Sequence, residues 1–509
     1  MWKALLVVTF FIAKGNTNDC VPRSFGTDRI VCVCNATYCD TTPDNNPKVP
    51  ARGRFYWYVS SREGLRMRMT EGQVGPCEQS PCSVTLTIDT TKRYQRIQGF
   101  GGAFTDSAGI NIRKLSAATQ DQLIRTYFDP NAGSKYTLGR VPIGGTDFST
   151  RPYTYDDYEN DTRLEHFALQ QEDYDYKIPY MQRALELNPE TKFVAVAWSP
   201  PTWMKTNNRI NGFGFLKTEY YGLYSDYLLK FMDEYKNNGL DIWAVTTGNE
   251  PIDAFVPFDL LNTMGWTPQT MGDWVANYFG PALARSQHRN TQILALDDQR
   301  LQLPWFIRNL FQNTKAERYI AGTAVHWYTD FIVPPTVLDS THNSFPNKFI
   351  LMTEACTGSG LLEYPKVILG SWKRGVSYIL SIIEYMNHWS VGWIDWNLAL
   401  DDSGGPNWIR NFVDSPIIVN QETDEFYKNP MYYALMHFSR FVERNSVRIS
   451  ISQADNIKST AFVTPSHEVV VVLYNEANST RVLSLRDLKR GSICVTVPPN
   501  SMNTIIYRE

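Results

Sequence analysis

The sequence predicts an α/β protein: a (β/α)8 TIM barrel, an antiparallel β-sandwich assembled from both chain ends, and a small disulfide-rich β excursion. Three observations lead there. Eight apolar runs alternate with amphipathic helical patterns between residues 95 and 397. Short alternating strands fill residues 49–92 and return after residue 446. Four of the eight cysteines, Cys20, Cys32, Cys34 and Cys39, crowd one N-terminal stretch.

In chain order, residues 1–15 read as a secretory signal peptide: Lys3 is the positive region, Ala4–Ala13 the apolar region, and Ala13-Lys14-Gly15 the cleavage site. No later segment approaches the ~18 uninterrupted apolar residues of a membrane span. The mature chain is therefore expected to be soluble in a lumen or outside the cell. In that oxidising setting the clustered cysteines read as disulfides. Zinc is disfavoured because paired C-x2-C units and nearby histidines are missing. Cys77 and Cys82, around Pro76 and Pro81, form a second cluster expected to be bridged, whereas Cys356 and Cys494 lie in apolar runs and are expected to be buried thiols. Asn35, Asn160 and Asn478 head N-x-[ST] sequons, candidate glycan acceptors on this route.

The expected division is 16–48 with 398–430 as the small disulfide-containing β domain. Residues 49–95 with 446–509 make the β-sandwich, and 96–397 with 431–445 the barrel. The barrel runs are RIQGFGGAFTD, TLGRVPIGGTDFS, KFVAVAWSPPTW, IWAVTTGNEP, QILALDDQ, IAGTAVHWY, KFILMTEAC and VGWIDWNLAL. Each opens with β-branched or bulky apolar residues and ends in polar, glycine or aromatic ones. In such barrels the C-terminal strand ends carry the active site, which is where these polar residues fall.

Composition excludes other classes. Net charge is −3, or −5 without Lys3 and Lys14 of the signal, so a basic nucleic-acid-binding footprint is missing. The seven histidines are scattered, and neither a metal site nor a cofactor is expected. A G-x-S-x-G elbow, a Walker loop and a dinucleotide fingerprint are all missing. Gly99-Phe100-Gly101-Gly102 lacks the spacing of the last and reads as a tight strand end beside the pocket.

Two carboxylates stand out: Glu250, ending IWAVTTGNEP, and Glu354, in FILMTEAC. Either alone reads equally well as a surface glutamate at a strand end. Their 104-residue separation equals three strand–helix units, which places them on the fourth and seventh strands, across the barrel mouth. A retaining glycosidase needs such a pair about 5–5.5 Å apart, one as acid/base and one as nucleophile. Asn249, beside Glu250, suits a bond to a sugar 2-hydroxyl. Asp147, Trp198, Trp396 and Asn411 supply a polar and aromatic lining, with Trp396 as a stacking wall. His326 and Tyr328 end the AVHWY strand, where a lone histidine more often orients a carboxylate than binds a metal.

These pieces resemble a known family. GFGGAFTD, RVPIGGTDFS, SPPTWMKTN, NEP, LDDQR, AVHWY, TEAC, VGWIDWNLAL and GGPNWIRNFVDSPII occur in the order found in the acid β-glucosidases (glucosylceramidases) of glycoside hydrolase family 30. The similarity spans nearly all of the mature chain. It implies hydrolysis of glucosylceramide at the lysosomal membrane surface, with acidic phospholipid and a saposin-type activator as partners. By motif, Glu250 is the acid/base and Glu354 the nucleophile. Asp147, Trp198, Asn249, Trp396 and Asn411 are the glucose contacts, while Arg140, His326 and Tyr328 support the carboxylates. The resemblance also implies disulfides Cys20–Cys32 and Cys34–Cys39. Three features depart from the family: PIDAFVPFDLL after Glu250 and residues 357–364, both at the aglycone entrance, and the Cys77/Cys82 pair.

Overall fold

The computed structural model describes residues 19–42, 49–75, 82–256, 260–360 and 362–509, so the signal segment expected over 1–15 lies outside the described residues. Eight parallel strands close into a barrel: β1 (Gly99–Ala103), β2 (Leu138–Ile143), β3 (Lys192–Ala197), β4 (Ile242–Thr246), β5 (Gln292–Gln299), β6 (Ile320–His326), β7 (Phe349–Glu354) and β8 (Ser390–Asn397). Each pairs with the next, and β8 returns to β1 through Trp393 opposite Phe100. Their near-continuous apolar sequences suit strands covered on both faces.

A strand's two-residue period explains how the barrel turns from packed core to functional site. Leu138, Ala244, Ala324, Leu351 and Ile394, from five different strands, meet in one buried cluster inside the ring. Two residues further along the same strands stand Arg140, Thr246, His326, Thr353 and Trp396, all buried. The interior is thus an apolar plug below and a polar layer above, at the C-terminal rim.

The glycines of GFGG are β1 itself, not a strand end as expected. A Cβ on Gly101 would lie 1.8 Å from the Leu138 carbonyl oxygen, so only glycine lets β1 approach β2 this closely. Outside the ring, helices Tyr221–Asn237 and Trp372–Asn387 pack their apolar faces inward, with Tyr224, Leu228, Phe231 and Tyr235 repeating at helical spacing on the first.

Nine strands outside the barrel form one hydrogen-bonded sheet that curls over its own core. Its order runs Gly491–Val497, Arg481–Asp487, Val84–Arg96, Val447–Ile451, Ile457–Val463, Glu468–Asn475, Ser501–Arg508, Arg54–Ser61, Arg68–Gln73. Phe55 from one end and Val495 from the other share that core with Val471 and Leu473. A smaller four-stranded sheet joins Pro22–Ser24 and Ile30–Asn35 to Glu425–Lys428 and Ile417–Asn420. Disulfides Cys20–Cys32 and Cys34–Cys39 pin it.

The second cysteine cluster differs from expectation. Cys82 carries a free thiol, so the expected Cys77–Cys82 bridge is not formed; Cys77 itself lies outside the described residues. Cys494, expected as a buried thiol, is disulfide-bonded. It sits on strand Gly491–Val497, at the end of the nine-stranded order. Cys356 is buried and free, as its apolar setting suggests. Asn160 and Asn478 are exposed, and Asn35 is half-buried.

Candidate active site

A cavity of about 310 Å³ opens at the C-terminal mouth of the barrel, lined among others by Asp147, Trp198, Asn249, Glu250, Glu354 and Trp396. Its size suits a small ligand. Glu354 ends β7 and Glu250 stands just beyond β4. Oxygens of the two carboxyls and a nitrogen of His326 all lie within 4.8 Å of one another.

Backbone geometry aims Glu250. Gly248 has φ +136°, and Glu250 itself takes a left-handed conformation, φ 40° and ψ 60°, which a side chain seldom adopts. Asn249 N–H donates to the Ala197 carbonyl at 2.9 Å and Glu250 N–H to that of Asp297 at 3.0 Å, tying the turn to strands β3 and β5. Pro251 then starts a 3-10 turn over Pro251–Phe255. Such strain persists only where its surroundings over-determine it, and it concentrates at functional sites.

Arg140 is fully buried and joins much of the site. Its guanidinium donates to Glu354 Oε2, to Asn249 Oδ1 at 2.7 Å and to Asp297 Oδ2 at 2.9 Å. It also lies 5.1 Å and 5.2 Å from the ring centres of Trp198 and Trp396, which stack on each other 5.2 Å apart. Because Asn249 gives its carbonyl oxygen to Arg140, its NH2 remains to meet a ligand. Tyr328 donates to Glu354 Oε1 at 2.8 Å, so each oxygen of this carboxylate has a donor.

His326 sits between two acids, with Nδ1 2.6 Å from Glu250 Oε1 and Nε2 3.0 Å from Asp297 Oδ1. Burial works against its charge, but Glu354, Asp297 and the two hydrogen bonds prevail and push it up to about 10. It is an imidazolium, a donor at both nitrogens. Burial likewise opposes ionisation of Asp297, yet Arg140 and His326 hold its carboxyl well below the usual range. Burial raises both Glu250 and Glu354; at Glu250 the hydrogen bond and charge of His326 outweigh it and draw the carboxyl down, while at Glu354 burial prevails over Arg140 and His326.

At the far wall Asp147 Oδ2 accepts from Asn411 Nδ2 at 3.0 Å and Asn407 Nδ2 at 3.1 Å. Burial lifts this carboxyl to about 7 against the pull of Asn411. Among the described residues two groups gather three possible metal ligands: Glu250–His326–Glu354, and Cys34–Cys39–Asp40. In the first, both histidine nitrogens are taken by carboxylates; in the second, both sulfurs form a disulfide. Neither offers a cation a free ligand set.

Every lining and supporting residue singled out in the sequence converges here. Asp297, Gln299 and Asn407 were missed. Asp297 also accepts from Thr246 at 2.9 Å and Thr353 at 2.6 Å, and Gln299 Nε2 donates to Glu250 Oε1 at 2.6 Å. A signal existed: two adjacent acids and an amide at the end of the apolar run QILALDDQ. Leu296 and Asp297 have φ of 77° and 54° at a register shift in β5, a bulge that re-aims these side chains.

Such a closed parallel barrel, with two carboxyls converging on one mouth cavity, defines a TIM-barrel glycoside hydrolase. Residues 97–442 match the glycosyl hydrolase family 30 TIM-barrel domain, and 445–505 match that family's beta sandwich domain. The chain belongs to glycosyl hydrolase family 30. It is 41% identical over 518 residues to the lysosomal acid glucosylceramidase of Mus musculus, covering 99% of each chain. A putative glucosylceramidase 3 of Caenorhabditis elegans is 38% identical over 522 residues, covering 100% of this chain and 99% of that one. Among solved structures, SrfJ from Salmonella typhimurium superposes with a TM-score of 0.83 at 28% identity, over 90% of this chain and all of that one.

Proposed function

We propose that the protein is a retaining β-glucosidase that hydrolyses glucosylceramide to glucose and ceramide by double displacement. The observation that carries this reading is the approach of the Glu250 and Glu354 carboxyl oxygens to within 4.8 Å. That spacing suits direct attack on a sugar between them, whereas an inverting pair stands about 6.5–9.5 Å apart to admit a water.

In the first step Glu354 attacks the anomeric carbon while Glu250 gives its proton to the departing oxygen. The C–O bond to the aglycone breaks and a glucosyl ester forms on Glu354. In the second, Glu250 takes a proton from water as that water displaces Glu354, which leaves as carboxylate. Arg140 and Tyr328 orient Glu354, and the free NH2 of Asn249 meets the sugar 2-hydroxyl. Asp147, steadied by Asn411, accepts from hydroxyls at the far wall, while Trp198 and Trp396 flank the sugar. No cofactor takes part.

Surface chemistry supports a lipid aglycone presented at a membrane. Phe213, Phe255, Phe331 and Leu362 lie in the segments after β3, β4, β6 and β7, and Trp305 opens the helix that follows β5; all five are exposed, Phe331 by 84% and Leu362 by 99%. Phe213 and Phe255 pack together, their ring centres 5.7 Å apart, and exposed apolar groups of this kind suit an interaction surface. No described helix is long and apolar enough to cross a bilayer. By its likeness to the lysosomal acid glucosylceramidase of Mus musculus, the reading is of a lysosomal lumenal enzyme, peripheral to membranes rich in acidic phospholipid, assisted by a saposin-type activator and glycosylated at Asn35, Asn160 and Asn478.

A cyclitol epoxide is expected to label Glu354 covalently, read by peptide mapping; label on another residue rejects the mechanism. Turnover of glucosylceramide in acidic-phospholipid vesicles should exceed that in neutral vesicles. Equal rates, with soluble glucosides favoured over both, would favour a water-soluble β-glucoside as substrate.

The pH profile has a predicted sign. Imidazolium His326 stabilises ionised Glu250 and so lowers its pKa, which confines the protonated acid to an acidic medium. His326→Phe removes that charge. Both Glu250 and Glu354 lose a charge that favours their ionised forms, so both limbs of kcat/KM are expected to move up, with a lower maximum; a downward shift would contradict the assignment.

A further inference from the structure

Glu250 receives two hydrogen bonds on one oxygen. His326 Nδ1 and Gln299 Nε2 each stand 2.6 Å from Oε1. With both nitrogens donating, Oε1 is saturated, and the proton that Glu250 exchanges belongs on Oε2. His326 is explained by the charge network it shares with Asp297 and Arg140. Gln299 has no such second tie: its side chain makes no other hydrogen bond among the described residues, and its Oε1 is buried without a partner. Leaving a carbonyl unpaired is unfavourable, so the amide is placed for its one donor contact.

Its placement is built from the backbone up. Gln299 ends β5 just past the bulge at Leu296 and Asp297. The intervening Asp298 holds Gln299 N–H on Oδ1 at 2.6 Å and Ile252 N–H on Oδ2 at 2.9 Å, locking the end of β5 to the turn that follows Glu250. Glu250 and Gln299 are thus carried on one fixed corner. Gln299 also lines the cavity.

We propose that Gln299 is a positioning residue for proton transfer: its Nε2–H, with His326, occupies Oε1 of Glu250 and leaves Oε2 as the oxygen that gives and retakes the proton. This rests on Glu250 being the acid/base. The charged and titratable groups facing Glu250 are His326 on β6, Arg140 on β2, Glu354 on β7, Asp298 on β5 and Asp253 on its own turn, whose carboxyl hydrogen-bonds it. None of these is altered when Gln299 is replaced, so a change in the acid's behaviour reports the amide.

The sign is fixed. A neutral donor to the carboxylate favours its ionised form, so removing it raises the pKa of Glu250. Glu250 is held below Glu354, so it governs the acid limb of kcat/KM; in Gln299→Leu that limb should move up by about half a unit to one unit, and in the isosteric Gln299→Glu further, because a carboxylate then faces Oε1.

Leaving-group dependence separates positioning from structure. With 4-methylumbelliferyl β-glucoside, whose departure needs a proton, kcat/KM should fall about 10–100-fold; with 2,4-dinitrophenyl β-glucoside, which departs unaided, less than about threefold. Equal losses on both substrates, or an unmoved acid limb, would overturn the proposal. If Gln299→Leu fails to fold, Gln299→Glu carries the same two readouts. Epoxide labelling of Glu354 in the wild type keeps the outcomes distinct: its failure sinks double displacement itself, whereas labelling with unshifted variants sinks only the part given to Gln299.

Discussion

Glu354→Gln is expected to cut turnover of a fluorogenic β-glucoside by about a thousandfold or more while the protein stays folded. An amide cannot form the glucosyl ester, so the loss falls on the chemical step. The fold should survive because glutamine is nearly isosteric, its carbonyl oxygen can still accept from Arg140 while its NH2 donates to the Tyr328 hydroxyl oxygen, and Arg140 keeps Asp297 as its buried counter-charge at 2.9 Å. Thermal unfolding and turnover measured on one preparation check both parts. Near-normal turnover would remove Glu354 from the nucleophile's role.

Glu250→Ala should behave differently on different substrates. Where the leaving group needs a proton, kcat/KM should drop about 10²–10⁴-fold. With 2,4-dinitrophenyl β-glucoside the first step should persist and the glucosyl-enzyme accumulate, because no base remains to activate water. Azide, which needs no base, should then restore turnover and give β-glucosyl azide, with configuration retained. Formation of the α-azide, or no rescue, would contradict the assigned roles.

How much of this was legible in the sequence depended on whether the determining contacts were local. The eight barrel strands were readable because each carries its own apolar run and polar end, as in KFVAVA followed by Trp198, or FILMT followed by Glu354. Glu250 and Glu354 stood out for the same reason. Gln299 and Asp297 did not, since their significance lies in partners from other strands: Glu250 for one, Arg140 and His326 for the other. A bulge aims them, and a bulge leaves only a faint trace in sequence. The cysteines divide similarly. Cys34 and Cys39 are five residues apart and closed by a local turn, whereas the apolar run around Cys494 carries no local sign of its disulfide.

The curled sheet has a consequence for how the chain is made. Strand Arg54–Ser61 pairs with Ser501–Arg508, and Val84–Arg96 pairs with Val447–Ile451 and Arg481–Asp487. Partners so distant in sequence close late and slowly. During synthesis the first of these strands therefore waits, edge exposed, while the whole barrel is made, and it finds its neighbour only once Ser501–Arg508 has emerged. A chain cut before Ser501 therefore leaves the early strand open to aggregation.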